Sequence, residues 1–468
     1  MTLDPDRLFP VENATRSVAR DLYSRVEALP IISPHGHVDP SILVEDRPFS
    51  DAAELFIRHD HYVTRMLHSA GVPLDRLGIP RVDGSGEQFD PRSVWRIFCE
   101  NWHRYAGTAS GYWLATTLSE QFAIDDAPSA ASADSLFDRI NTALKTPEFA
   151  PRALFSRFGI EVLATTDDPM DDLASHRALA ADSGFSGRVI PTFRPDAYLD
   201  PASPGWTHRV ETLAAWNGTE AGDYSGYVEA LEGRRRYFID HGAVSADHGV
   251  LRPDTAELDA GEAKRLFDGA MSARLSAAEA AVFASHMLLE MARMSVDDGL
   301  VMTVHAGVLR NHDTHTFRQF GPDMGHDIPV PTVFAEPLRP LLTRFGNAPD
   351  FHLVLFAVDE TVYSREIAPL AGYYPAVYAG APWWFLDAPD AVLRFRAAIT
   401  ETAGFYKGSG FIDDTRAFLS IPARHDMSRR LDASFLAGLV RQGRIDMASA
   451  ERIICDLVDS LPREVFKL

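Results

Sequence analysis

Cysteine is nearly absent. Cys99 and Cys455 are the only two in 468 residues, and neither stands in a CxxC pair. That argues against a thiolate metal cluster and against a disulfide framework. Long apolar runs are missing as well. No stretch approaches the ~18 uncharged apolar residues of a membrane helix. Residues 1–29 mix acidic and basic side chains without the apolar core of a signal peptide. Basic residues are outnumbered, 45 Lys+Arg against 66 Asp+Glu, for a net charge of −21. Phosphate contacts need clustered Lys and Arg, so neither a nucleic-acid nor a membrane partner is expected. A reduced cytoplasm is the default setting. The proportions that remain, 46% hydrophobic and 24% charged, are those of a globular enzyme rather than a disordered chain.

Eight short apolar segments read as buried parallel strands. They are Leu29–Val38, Glu161–Asp168, Val189–Asp196, Ala243–Gly249, Leu300–Gly307, His352–Asp359, Ala376–Trp384 and Gly410–Leu419. Helical composition fills most of the gaps, as in Glu262–Met294 and Leu386–Thr402. Alternation of strand and helix implies a parallel sheet, and eight repeats point to a (β/α)8 TIM barrel. A doubly wound sheet would gather its ligand residues at one switch point. Here nearly every segment ends in a polar side chain, which suits a barrel mouth. The expected organisation is a single barrel domain over residues 1–468. A large helical insertion after strand 1, residues 40–158, covers the mouth, and helices follow the last strand.

The chemistry gathers at the same ends of different strands. His35 and His37, in Pro34-His35-Gly36-His37, are two residues apart and share a strand face. They are spaced to grip one divalent ion, although two ordinary histidines are the alternative. Asp414 and Arg416, in Asp413-Asp414-Thr415-Arg416, share a face of the last strand. Asp414 can complete a His-His-Asp metal set or transfer protons; a structural Asp–Arg pair is the alternative, and Asp413 is the weaker candidate. His305 ends the fifth strand, as a ligand, proton shuttle or core histidine. Arg194 ends the third and wants an acidic partner or substrate. Asp167 and Asp168 end the second and suit a turn before Pro169; Asp247 and His248 end the fourth with little signal alone. Trp383-Trp384 can wall a sugar ring. Asp60-His61-Tyr62 reads by itself as an ordinary helix face. Strand four, Ser245-Ala246-Asp247-His248, has no lysine to bridge two ions, so one metal at most is expected.

In this order the motifs PHGH, DHY, TTDDP, FRPD, SADHG, VHAG, WWF and D-T-R resemble the uronate (glucuronate) isomerase family, a branch of the amidohydrolase superfamily. The resemblance spans about Leu29 to His425. It implies aldose–ketose isomerisation of a hexuronate, D-glucuronate to D-fructuronate and D-galacturonate to D-tagaturonate. It also implies site roles: His35, His37 and Asp414 for the metal; Tyr62, Arg194, Asp414 and His305 for catalysis; His61, Arg416 and Trp383 for substrate. One divalent metal, zinc by expectation and not strictly essential, and a homo-oligomer go with it. Two positions depart from the family pattern. Ser33-Pro34 precedes the first histidine, where an aromatic or acidic residue is usual. Asn311-His312-Asp313 stands where an Asn run is usual. Two rivals stay open: a mononuclear metal-dependent amidohydrolase, and a non-catalytic sugar-acid binder.

Overall fold

Short parallel strands set the frame. The computed structural model describes residues 3–85, 89–220 and 222–468. Its strands are β1 (Ile31–Ser33), β2 (Ile160–Ala164), β3 (Arg188–Ile190), β4 (Ser245–Val250), β5 (Val301–Ala306), β6 (Val308–Leu309), β7 (Ile328–Pro329), β8 (Leu353–Ala357) and β9 (Val377–Ala379). β1, β2 and β3 pair in parallel in that order, and so do β4, β5, β8 and β9. A parallel bridge from Phe193 to Ala246 joins the two groups. β6 and β7 form a separate antiparallel ribbon.

The last stave is irregular. Gly410–Leu419, expected as a strand, forms none. Gly410 at φ 76° and Asp414 at φ 42° interrupt the extended backbone. Closure instead rests on isolated contacts: a bridge between Ala379 and Gly408, Ser409 N–H on the Ala379 carbonyl, and His37 N–H on the Thr415 carbonyl. With that segment the ring has eight staves, and the architecture is a TIM barrel. β5 and β8 are buried along their whole length, as both-sided coverage requires.

Local sequence explains the helix boundaries. Expected as one run, Glu262–Met294 divides into Ala260–Met271 and Ala277–Asp298. Ser276 and Glu279 form a reciprocal capping box that starts the second helix afresh. Between β1 and β2 lies a set of helices whose core, around Trp95, Phe98, Leu67 and Ile57, runs on into β1, β2 and β3 through Ile31, Leu163 and Val189. Asp51–Ala70 is two pieces, a π-helical turn Glu54–Arg58 and a helix His61–Ser69. Asp60 caps the latter by accepting from Tyr62 N–H at 2.8 Å, which puts His61 and Tyr62 in its first turn. The C-terminal helices pack on the opposite end of the barrel. Arg463 pairs with Glu161 just inside β2, and Lys467 donates to the carbonyls of Gly299 and Asp350. No helix among the described residues is long and apolar enough to cross a membrane.

Candidate active site

The C-terminal ends of the staves open into a cavity of about 900 Å³. His37, Tyr62, Arg194, Trp383, Asp414 and Arg416 all line it, from five separate stretches of chain. A smaller space of about 430 Å³ adjoins it behind His37 and Asp39.

The two histidines lie just beyond β1 rather than on it, because Pro34 ends the ladder. They still converge, with ring centroids 5.3 Å apart. Gly36 allows this: a Cβ there would stand 3.3 Å from the Ala164 carbonyl oxygen. Nε2 of His37 lies 3.0 Å from Asp414 Oδ1, and Nε2 of His35 lies 3.5 Å from it. Ligand atoms of His35, His305 and Asp414 all fall within 4.8 Å of one another. The compact donor set is therefore His35, His305 and Asp414, whereas the sequence pointed to His35, His37 and Asp414. His37 joins through Asp414. His305 comes in because β5 delivers it beside His35, centroids 4.8 Å apart, stacked on Phe356.

His305 Nδ1 meets Asp247 Oδ1 at 2.6 Å, and Thr303 donates to the same oxygen at 2.7 Å. That leaves His305 Nε2 buried without a partner, and His35 Nδ1 likewise. Orphaned imidazole nitrogens beside a carboxylate, one of them oriented by a second carboxylate, are what a divalent-ion site requires. Burial pushes the His35 imidazole down to about 4, so it is neutral, the ligating form, at pH 7. Burial works to raise Asp414, yet the contact with His37 and the neighbouring imidazoles hold it well below the carboxylate range. Asp414 occupies the left-handed region, a strained position of the kind common at functional sites.

Tyr62 stacks on His61 at 4.5 Å and meets Trp113 edge-on at 5.9 Å. The family resemblance assigns catalysis to both Tyr62 and Arg194. Arg194 instead pairs with Asp196 at 3.0 Å and approaches Asp247 at 3.5 Å. The guanidinium over the Tyr62 ring is Arg424, 5.4 Å from the centroid; it also lies 3.5 Å over Trp113 and pairs with buried Asp387 at 2.8 Å. Burial raises the Tyr62 phenol well above its usual 10, with Arg424 opposing. A phenol made more acidic by a neighbouring Arg, as the resemblance would have it, is thus not seen in the resting site, since desolvation outweighs the single nearby cation.

Trp383 is buried, edge-on to His305 at 4.6 Å, with its indole N–H unpartnered. His61 has a buried, unpartnered Nε2, and burial pushes its imidazole down to about 4. Arg416 pairs with Asp323 at 2.7 Å, not with Asp414. Arg424, Asp387, Asp323 and Arg310 were missed from the sequence. Only Arg424 carried a sequence signal, the run of charge in Arg424-His425-Asp426, too polar for an ordinary packing helix.

A barrel with imidazole and carboxylate donors gathered in its mouth is the architecture of a metal-site enzyme. The family model for glucuronate isomerase matches residues 9–466. A uronate isomerase of Corynebacterium efficiens is 51% identical over 465 residues, covering 99% of this chain and 98% of that protein. The crystal structure of a glucuronate isomerase from Caulobacter crescentus superposes with a TM-score of 0.97 at 47% identity, covering 100% of this chain and 97% of that one. A uronate isomerase from Thermotoga maritima gives 0.92 at 28% identity, with full coverage of both chains. The chain belongs to the glucuronate isomerase family, whose members are aldose–ketose isomerases.

Proposed function

We propose that this chain interconverts hexuronate aldoses and ketoses, D-glucuronate with D-fructuronate and D-galacturonate with D-tagaturonate. The observation that carries the reading is the convergence, at one cavity, of a phenol, an acid-binding guanidinium and Asp414, the member of the donor triad that reaches the cavity from the buried His35 and His305. Arg416 supplies a fork suited to the substrate carboxylate. His61 stands beside it. Trp383 walls the sugar and offers its free N–H to a hydroxyl. A divalent ion, zinc by expectation, fits His35, His305 and Asp414, with His37 in reserve, and when bound it supplies a Lewis acid for substrate oxygens.

Asp414, held ionised, accepts the anomeric hydroxyl proton as the ring opens. A base then removes the C2 proton. The electrons of that C–H bond form the C1–C2 double bond, and the C1 oxygen takes up a proton, giving a cis-enediol. Delivery of a proton to C1, with loss of one from the C2 hydroxyl, completes the ketose. Tyr62 is our candidate for the C2–C1 proton carrier. Burial favours its phenol, so ionisation draws on the guanidinium of Arg424. His305, fixed by Asp247 through Nδ1, has Nε2 alone to offer, to the ion or, where none is bound, to a substrate oxygen.

The whole chain is read as one barrel domain with residues 40–158 as an insertion, and as a cytoplasmic homo-oligomer; light scattering of the purified protein tests the assembly. A panel of reducing hexuronates, esters and amides tests the reaction. Ketose formation without ester or amide cleavage is the expected result. Cleavage without ketose would make it a metal-dependent hydrolase.

A further inference from the structure

Two guanidiniums in the cavity converge on one internal carboxylate. Asp323 Oδ2 accepts from Arg416 at 2.7 Å, and its Oδ1 lies 3.9 Å from Arg310. Arg310 is held on its other side. Buried Asp327 pairs with it at 3.0 Å, and its guanidinium lies 4.9 Å over the Trp384 ring. Asp327 is itself fixed by the Asn311 N–H at 2.6 Å. Nη1 of Arg310 is thus bonded to Asp327 and is also the nitrogen nearest to Asp323, at the cavity wall. His61 stands in the same corner with a buried, unpartnered Nε2.

We propose that Arg310 and Arg416 together form the carboxylate subsite, and that Asp323 fills it until a substrate carboxylate displaces it. The subsite rests on the hexuronate reading above. Charge requires the exchange. With Asp323 and Asp327 both in place, two cations face two anions, and a further carboxylate gains nothing. With Asp323 withdrawn, one positive charge is left over for the ligand. The Asp323–Arg416 pair is also of the exchangeable kind, with side chains 34% and 42% exposed. Asp323 rides on the turn between β6 and β7, at φ 64° and flanked by Gly321 at 84° and Gly325 at 81°. Asp327 lies beyond that turn and is 2% exposed, so it stays as the fixed anchor. The specificity that follows is for a terminal carboxylate at the Arg310–Arg416 end of the cavity, with Asp323 the internal competitor that a neutral sugar cannot replace.

Galactarate, a hexaric acid that cannot isomerise, and galactitol, its neutral counterpart, are the probes for titration calorimetry. Asp323→Asn should bind galactarate about two- to fivefold more tightly than wild type, the range of an exposed ion pair. Arg310→Met should bind it roughly tenfold or more weakly, as loss of a charge-assisted bond requires. Galactitol should be unaffected in both. Asp323→Ser and Arg310→Lys guard against a local folding fault, Ser repeating the gain and Lys retaining part of the affinity. Unchanged or weaker galactarate binding in both Asp323 variants overturns the proposal. Equal gains for galactarate and galactitol do so too, because the cavity has then merely opened. No galactarate binding by wild type also ends it. Binding as described, in a protein that leaves hexuronates unchanged, removes the reaction and keeps the subsite.

Discussion

Tyr62→Phe changes one atom that matters. It keeps the stack on His61 and the edge contact with Trp113 and removes only the phenolic oxygen. kcat for hexuronates should fall by roughly 10²–10⁴, with KM little changed. A variant with near wild-type kcat takes Tyr62 out of the mechanism. Metal content separates the donors. His35→Ala and His305→Ala should each lose most of the bound ion by atomic absorption, while His37→Ala keeps more, since His37 reaches the set only through Asp414. Equal loss in all three variants would restore His37 to the primary set. His35, His37, Asp414 and Arg194 were legible because each stands in or just after a short apolar segment of the chain. Arg310, Asp323 and Arg424 were not, because their meaning lies in partners from distant segments: Asp323 is 93 residues from Arg416, and Asp387 is 37 from Arg424.

At the scale of elements, Asp167 links the ends of β2 and β3. It accepts from Thr165 Oγ1 at 2.7 Å and from Thr192 N–H at 3.2 Å. Burial outweighs both bonds and raises its carboxyl from 3.8 to about 7. The fold thus favours the protonated form. Stability tied to this group is full below pH 4 and declines as pH rises through 7. Asp167→Asn keeps an acceptor without the charge, so its stability relative to wild type should be higher at pH 8 than at pH 4 by ~2–4 kcal/mol. Urea titrations at the two pH values measure this, and an equal difference at both would refute it. Strand positions were readable because β8 is an unbroken apolar run and β5 a mostly apolar one. The last stave misled because its sequence is apolar enough for a strand, while Gly410 and Asp414 take backbone angles that no strand allows. Asp60-His61-Tyr62 gave no strand signal at all. Its importance comes from the Asp60 cap, which starts a helix at the cavity wall.

For the whole molecule, an acidic chain that takes an acidic sugar needs its positive charge concentrated. Net −21 overall coexists with Arg194, Arg310 and Arg416 around one cavity. Raising ionic strength should lower kcat/KM for hexuronates, because salt screens the attraction of the cavity arginines for the substrate carboxylate; the Arg416→Met variant should lose most of this dependence, and a wild-type rate that rises with salt would show that long-range repulsion from the acidic surface governs instead. The barrel was legible from strand count and alternation. The closure of its far end by the C-terminal helices depends on ion pairs such as Arg463–Glu161, which no local pattern announces. The central claim is proton transfer between C2 and C1 of a hexuronate, and an NMR time course with D-glucuronate in D2O tests it most directly. D-fructuronate signals should grow in, and the hydrogen from C2 should be found at C1 of the ketose or exchanged for deuterium through the enediol. No ketose over many enzyme equivalents of time and substrate, with the cavity shown to bind galactarate, would contradict it.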